Sequence, residues 1–434
     1  MKRDIYSKLL DWKLSPRRKP LILKGARQVG KTYILTQFGE NEYEKVAYFN
    51  FETTPSLNAF FEQNIDPHQI ITNLSFQIGF DILSEKHLII FDEIQNSNNA
   101  LNSLKYFNEQ ANEYHITCAG SMLGLQLNKP KSFPVGKVNF LDLFPMSFNE
   151  FIRAIGKTKL FEYIDTIRSI SPIPQPLHEE LLSLLRIYYF IGGMPEAVGE
   201  YQSTNRFDHI RDIHQEILRS YEIDFTKHSK ATDIPKIKQV WESIPDHLSK
   251  ENKKFIFSAI HPSARAREYE NAIQWLSIVG LIHKSYQIST PKYPLSAYVN
   301  KSNFKVFMLD IGLLGALTNL PMRVVLEDDK LFTEFKGALI ENYVAQQLIT
   351  HFKIDLHYWT SDGKAEVDFI LPMEEILPLE AKAGINTKSR SLKTYNEKYS
   401  PKFMLRSTLR NLRQDGQILN VPLYALSQIK HLIL

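Results

Sequence analysis

A chain of 434 residues, 43% hydrophobic and 23% charged, is too long for one ordinary core and implies two to four domains of a soluble globular protein. No apolar run approaches the length needed to cross a bilayer, and the basic start MKRDIYSKLLDWKLSPRRKP lacks the apolar stretch of a secretory signal, so no membrane partner and a cytoplasmic location are expected. The single cysteine, Cys118, excludes an intramolecular disulfide and a multi-cysteine zinc site.

The formal charge of +4 hides two basic stretches: 13 Lys and Arg against 7 Asp and Glu from Lys227 to Asp310, and 8 against 2 from Ile385 to Asp415. Such stretches suit a polyanion, and equally an ordinary solvated surface.

The first element with chemistry is PLILKGARQVGKTYILTQFG, a short apolar strand, a loop and a helix pattern. Gly25, Ala26, Arg27, Gln28, Val29, Gly30, Lys31 and Thr32 fit G-x-x-x-x-G-K-[ST] without a mismatch, with Tyr33 following in the helix. Backbone N–H groups in such a loop surround phosphates at a helix N-terminus, which predicts ATP as ligand. Lys31 would reach the β- and γ-phosphates, and the Thr32 hydroxyl would ligate Mg²⁺.

Strands are predicted over 46–52, 87–95, 114–122 and 137–143. In HLIIFDEIQ the continuous apolar run of a strand covered on both faces ends in Asp92 and Glu93. Asp92 is assigned to the Mg²⁺ shell and Glu93 to the attacking water. Ser121, beyond the next strand, is placed to sense the γ-phosphate, or is an ordinary turn serine. Lys137 and Arg153 are candidates for a cation stabilising the transition state.

Residues 147–225 read as amphipathic helices, interrupted where Gly192-Gly193-Met194-Pro195 forces a tight packed corner. From Ile234 the pattern becomes two helices and then two strands around a Pro-rich loop, in a basic segment. That order suits a winged helix, with Arg265 and Arg267 opening the candidate recognition helix. Contact with DNA and a role in protein packing both remain open at this point.

The last third orders a helix over 331–352 and three strands. Glu334 and Glu341 lie on one side of that helix. Asp368 and Glu380 fall on adjacent strands, and Lys382 shares the face of Glu380 by the strand period of two. Glu341, Asp368 and Glu380 could hold Mg²⁺ or Mn²⁺, with Lys382 stabilising a hydroxide or a pentavalent phosphate. That is the constellation of metal-dependent phosphodiester cleavage. A plain surface ion pair is the competing account, but the apolar neighbours Val367, Phe369, Ile370, Leu377 and Leu379 argue for core strands.

LKGARQVGKT, IIFDEIQ, AGSMLG, FPMSFNEF, GGMPEAV, FMLDIGLL and EVDFIL with LEAKAG occur in this order. On these motifs the chain resembles a bacterial and archaeal family of AAA-type P-loop ATPases whose C-terminal domain, of unassigned function, is similar to PD-(D/E)XK nucleases. The resemblance implies an α/β protein: an AAA-type P-loop NTPase core over 1–145, a helical lid over 146–228, a winged helix over 229–325, and a restriction-endonuclease-like domain over 326–434. It carries Lys31, Thr32, Asp92, Glu93 and Ser121 to the ATPase site, and Glu341, Asp368, Glu380 and Lys382 to the nuclease-like site. Relatives often have Gly-Arg where this chain has Gly136-Lys137, so an arginine finger is not expected there. The expected function is Mg²⁺-dependent ATP hydrolysis controlling a half that binds DNA, with cleavage of that DNA left open. The alternative is a nucleotide-gated switch for a protein partner, with an inactive nuclease-like domain.

Overall fold

A computed structural model describes residues 1–62, 66–121, 136–250, 254–326, 333–361, 365–384 and 389–433. The side chain of Glu334, the turn expected at Asp362-Gly363 and the end of AGSMLG lie outside the described residues. Two compact units emerge, Met1–Phe144 with Ile278–Gly280, and Pro145–Ser277 with Leu281–Leu434.

In the first unit helices α1 (Ile5–Leu14), α2 (Lys31–Glu42), α3 (Pro67–Ile78) and α4 (Asn98–Gln110) accompany strands β1 (Leu21–Lys24), β2 (Lys45–Asn50), β3 (His87–Asp92), β4 (His115–Ala119) and β5 (Asn139–Asp142). The strands form one sheet in the order β2-β3-β4-β1-β5, every pair parallel. Parallel pairing needs crossovers, and the helices that supply them cover the sheet, which is why β3 and β4 are buried at every position. Side-chain caps start the helices: Asp66 accepts from the His68 N–H ahead of α3, and Ser97 from the Ala100 N–H ahead of α4. The rings of Phe51, Phe61 and Phe91 meet in pairs at 5.6–5.7 Å. Because β4 lies between β3 and β1, the C-terminal ends of these three strands share one edge, where ligands of open α/β sheets bind.

The second unit is richer in helix. Helix α5 (Phe148–Ala154) begins with a capping box between Ser147 and Glu150. Then come α6 (Gln175–Ile191), α7 (Pro195–Thr204), α8 (Ile210–His228), α9 (Ile234–Ser249) and α10 (Ala266–Ile278). An antiparallel pair follows α10, β6 (Ile282–Ile288) and β7 (Val299–Met308). Helices α11 (Ile311–Leu317) and α12 (Thr333–Phe352) precede β8 (Leu356–Ser361) and β9 (Ala365–Val367). Strand β8 adds in parallel to β6, with Ser285 opposite Leu356, so strands on both sides of residue 325 share the sheet β7-β6-β8-β9. A second sheet has the order β10-β11-β12-β14-β13, with β10 (Phe369–Pro372), β11 (Ile376–Ala381), β12 (Met404–Thr408), β13 (Arg413–Asp415) and β14 (Ile418–Pro422).

Three of the sequence motifs meet in the core of this unit. The Gly192-Gly193 corner lies between α6 and α7, and the Gly193 carbonyl accepts from the Met146 N–H at 2.7 Å. A Cβ at Gly193 would stand 2.1 Å from the Met146 carbonyl oxygen, so only glycine fits. The Gly193 N–H donates to Asp310 Oδ2 at 2.6 Å, and Asp310 Oδ1 caps α11 through the Leu313 N–H. From α12, Gln346 Nε2 donates to Asp310 Oδ2 and to the Tyr188 hydroxyl, and Gln347 Oε1 accepts from the Phe148 N–H. FPMSFNEF, GGMPEAV and FMLDIGLL are thus tied together by buried polar groups that satisfy one another.

Candidate functional site

The loop Gly25–Gly30 joins β1 to α2, so Lys31 and Thr32 stand in the first turn of a helix whose N-terminal N–H groups face the loop. Gln28 and Gly30 take φ of 65° and 91°, which curls the chain ahead of the helix. At Gly25 a Cβ would fall 2.2 Å from the Leu143 carbonyl oxygen, so a side chain would displace the loop. Lys31 Nζ donates to the Gly25 and Ala26 carbonyls at 3.0 and 2.7 Å. Ala26 and Val29 are buried, Arg27 is half-buried, and Tyr33 is exposed, its hydroxyl accepting from the Met1 ammonium.

Asp92 closes β3. Its Oδ2 accepts from Thr32 Oγ1 at 2.8 Å and from the Tyr48 hydroxyl at 2.7 Å, while Oδ1 accepts from the Glu93 N–H. A hydroxyl and a carboxylate held together at the start of a phosphate-binding helix are the oxygen donors that Mg²⁺ takes, so the residues present fit that ion. Burial, with the neighbouring Asp92 charge, pushes the Glu93 carboxyl above the usual carboxylate range, and Gln95 and Lys31 pull it back. Gln95 Nε2 donates to Glu93 Oε2 and fixes the direction of that carboxylate. Ser121 is buried just beyond β4, on the edge shared by Asp92 and the loop. Lys137 pairs with Glu109 at 2.9 Å. Arg153, in the second unit, lies over the Phe161 ring.

Sequence reasoning missed Arg3. It is 6% exposed, and its guanidinium donates to the Val29 carbonyl at 3.0 Å and to the Phe144 carbonyl at 2.7 Å. It therefore braces the phosphate loop from the chain's start. A basic residue three positions into a chain carries no spacing signal, so no motif pointed to it.

Residues 17–152 match the family model of the AAA domain. The N-terminal module is a P-loop ATPase that matches the AAA domain. Residues 182–323 and 336–426 match two domains of unknown function, DUF8612 and DUF4143. No curated protein matches the chain. Among solved structures it is similar to a Walker-type ATPase of Pyrococcus abyssi, at 13% identity over 73% of this chain and 95% of that one, TM-score 0.46. It is also similar to the Orc1 protein of Aeropyrum pernix in complex with DNA, at 14% identity over 74% of this chain and 92% of that one, TM-score 0.31. A third is a Signal Transduction ATPase with Numerous Domains carrying a tetratricopeptide repeat sensor, from Pyrococcus horikoshii, at 12% identity over 82% of this chain and 46% of that one, TM-score 0.27.

In the second unit Glu341, Asp368, Glu380 and Lys382 lie close to one another. Asp368 stands between β9 and β10, and its Oδ2 accepts from the Ala381 N–H at 2.8 Å. Glu380, on β11, is 2% exposed, and its Oε1 pairs with Lys382 Nζ at 2.8 Å. Burial works to lower the Lys382 pKa, but the charges of Glu380, Asp368 and Glu341 hold it above that of a free lysine. Lys305 was not foreseen. From β7 its side chain, 0% exposed, reaches Glu366 and lies 3.8 Å from Glu341 Oε2. Its signal was a lone lysine inside the apolar run FKVFML. Two ammonium groups thus lie against these carboxylates. Among the described residues no three His, Cys, Asp or Glu side chains form a group that could hold a metal. With both ammonium groups in place the arrangement does not fit a divalent ion. Arg265 and Arg267 are exposed, one just before and one within the first turn of α10. Among the described residues no helix is long and apolar enough to cross a membrane.

Proposed function

We propose that this protein is an ATP-driven switch in which the nucleotide held by residues 17–152 controls a DNA-binding C-terminal half. The observation that carries the reading is the Thr32–Asp92 hydrogen bond, which joins the phosphate loop helix to the end of β3 beside Glu93. Gly25 to Tyr33 hold the nucleotide, with the Lys31 ammonium on the β- and γ-phosphates. Thr32 and Asp92 hold Mg²⁺, which when bound neutralises charge on those phosphates. Glu93, raised toward neutrality by burial and held by Gln95, takes the proton of the attacking water, and Ser121 reports the γ-phosphate.

The lid over 146–228 and the winged helix over 229–325 are part of this reading. Two helices precede an antiparallel hairpin, with Arg265 and Arg267 exposed at the second helix, where DNA phosphates would lie. The test is anisotropy of a labelled duplex with a non-hydrolysable ATP analogue or ADP, alongside phosphate release. Binding that depends on nucleotide, weakens in Arg265→Ala/Arg267→Ala and falls steeply with salt supports it. Glu93→Gln should bind ATP with turnover reduced at least a hundredfold, and Lys31→Ala should lose binding. Turnover surviving in Lys31→Ala would sink the assignment.

A second reading is a nucleotide-gated protein-interaction switch with a nuclease-like domain that does not cut. The pairing of Lys305 and Lys382 with its carboxylates favours the absence of cleavage. Duplex binding absent in every nucleotide state would favour this reading over the first. Plasmid cleavage in Mg²⁺ or Mn²⁺ that is lost in Asp368→Ala would overturn the inactive-domain part.

A further inference from the structure

Four carboxylates, Glu341, Glu366, Asp368 and Glu380, gather in the second unit around the ammonium groups of Lys305 and Lys382. They arrive from α12, β9, the β9–β10 junction and β11, so no single element makes the cluster. A buried carboxylate is tolerated only when something balances its charge. Lys382 is partly exposed and answers Glu380. Lys305 is fully enclosed, lies over the Tyr358 ring at 4.9 Å, and answers Glu366 and Glu341. Among the described residues the buried Glu380 Oε2 has no hydrogen-bond partner.

We propose that Lys305 is a built-in counter-ion that takes the place of a divalent metal in this site. With Lys305 against Glu366 and Glu341 and Lys382 against Glu380, the cluster already holds the two positive charges a divalent metal would bring. A cation shared by Glu380 and Glu341 would also face Lys305, which lies 3.8 Å from Glu341 Oε2, and like charges repel strongly in a poorly solvated interior. Metal is therefore excluded while Lys305 is present, and its removal converts the same carboxylates into a Mn²⁺ site that uses Glu380. Burial alone would lower the pKa of Lys305, yet Glu341, Glu366 and Asp368 hold it above that of a free lysine, consistent with a charge kept in place. The inference concerns metal binding alone and needs no assumption about DNA.

The test is Mn²⁺ binding to the full-length, nucleotide-free, chelator-stripped protein, read by the paramagnetic resonance signal of free Mn²⁺. Wild type and Glu380→Gln should give superimposable isotherms. Lys305→Met should bind one further Mn²⁺ that the wild type does not bind, and Lys305→Met/Glu380→Gln should lose it. Lys305→Gln, with a polar chain, replaces Lys305→Met if the latter does not fold. A Glu380-dependent Mn²⁺ site in the wild type overturns the proposal, as does a folded Lys305 variant that gains no site. The wild-type comparison alone decides the first point, whatever the variants do.

Discussion

Asp310 and Gly193 are joined by a 2.6 Å hydrogen bond between segments 117 residues apart in the chain. The same carboxylate caps α11 and receives Gln346, and it is 0% exposed. Burial pushes its pKa above the usual carboxylate range, while the donors from Gly193, Leu313 and Gln346 pull the other way. Asp310→Ala would strand those donors in the core, at about 1–3 kcal/mol for each one left unsatisfied. Destabilisation of the second unit by roughly 3–5 kcal/mol is expected, since three donors are involved and partial relaxation is normal. Three of the four tryptophans, Trp241, Trp275 and Trp359, lie in that unit, so urea denaturation followed by fluorescence reads it. A change below about 1 kcal/mol would show that the junction is only decorative.

Arg3 makes a prediction at the other unit. Arg3→Met keeps apolar bulk but removes the donors to the Val29 and Phe144 carbonyls. Each charged hydrogen bond contributes about 1.5–3 kcal/mol, and leaving the loop carbonyl unpaired frees the phosphate loop to move. The variant is expected to fold and to bind ATP at least fivefold more weakly, measured by displacement of a fluorescent ATP analogue. Unchanged affinity would confine Arg3 to a purely structural part.

Stability should fall in acid through one buried and two half-buried histidines. His214 is fully buried, its Nε2 bonded to the Ile191 carbonyl, and burial beside Arg211 lowers its pKa to about 3. Burial lowers His283 and His351 to about 4. A depressed folded pKa means that the unfolded chain binds protons first. The stability these groups contribute is complete above pH ~6.5 and is lost as pH falls toward 4. Urea midpoints at pH 7.5, 5.5 and 4.5 should decline steadily, and His214→Gln should flatten the decline. A flat wild-type profile across this range would contradict the lowered pKa values of these rings.

The two sites differed in how much of them could be read from the sequence. The phosphate loop and the Asp92-Glu93 pair are local motifs, each at the end of a strand, so their places follow from spacing. Asp368, Glu380 and Lys382 were likewise legible, because a charged residue in an apolar strand run stands out. Glu366 was equally conspicuous in AEVDFIL, but nothing local gave it a partner. Its partner is Lys305, 61 residues earlier, brought there only by the sheet. Arg3 and Tyr48 escaped for the same reason. Each acts through a hydrogen bond to a group that another segment places, and spacing along one segment cannot reveal it. GGMPEAV and FMLDIGLL carried information of another kind, since their glycines and Asp310 serve packing between segments rather than chemistry.

The parallel pairing of β6 with β8 sets a limit on how this protein can be divided or recombined. Cutting the chain between α11 and α12 would leave β6 with an open edge on one fragment and β8 with an open edge on the other, each ready to pair with a stranger. Neither fragment would be a sound expression target. A gene exchange that replaced one of the two domains of unknown function would have to carry the other with it, so the two should travel through evolution as a single inherited piece.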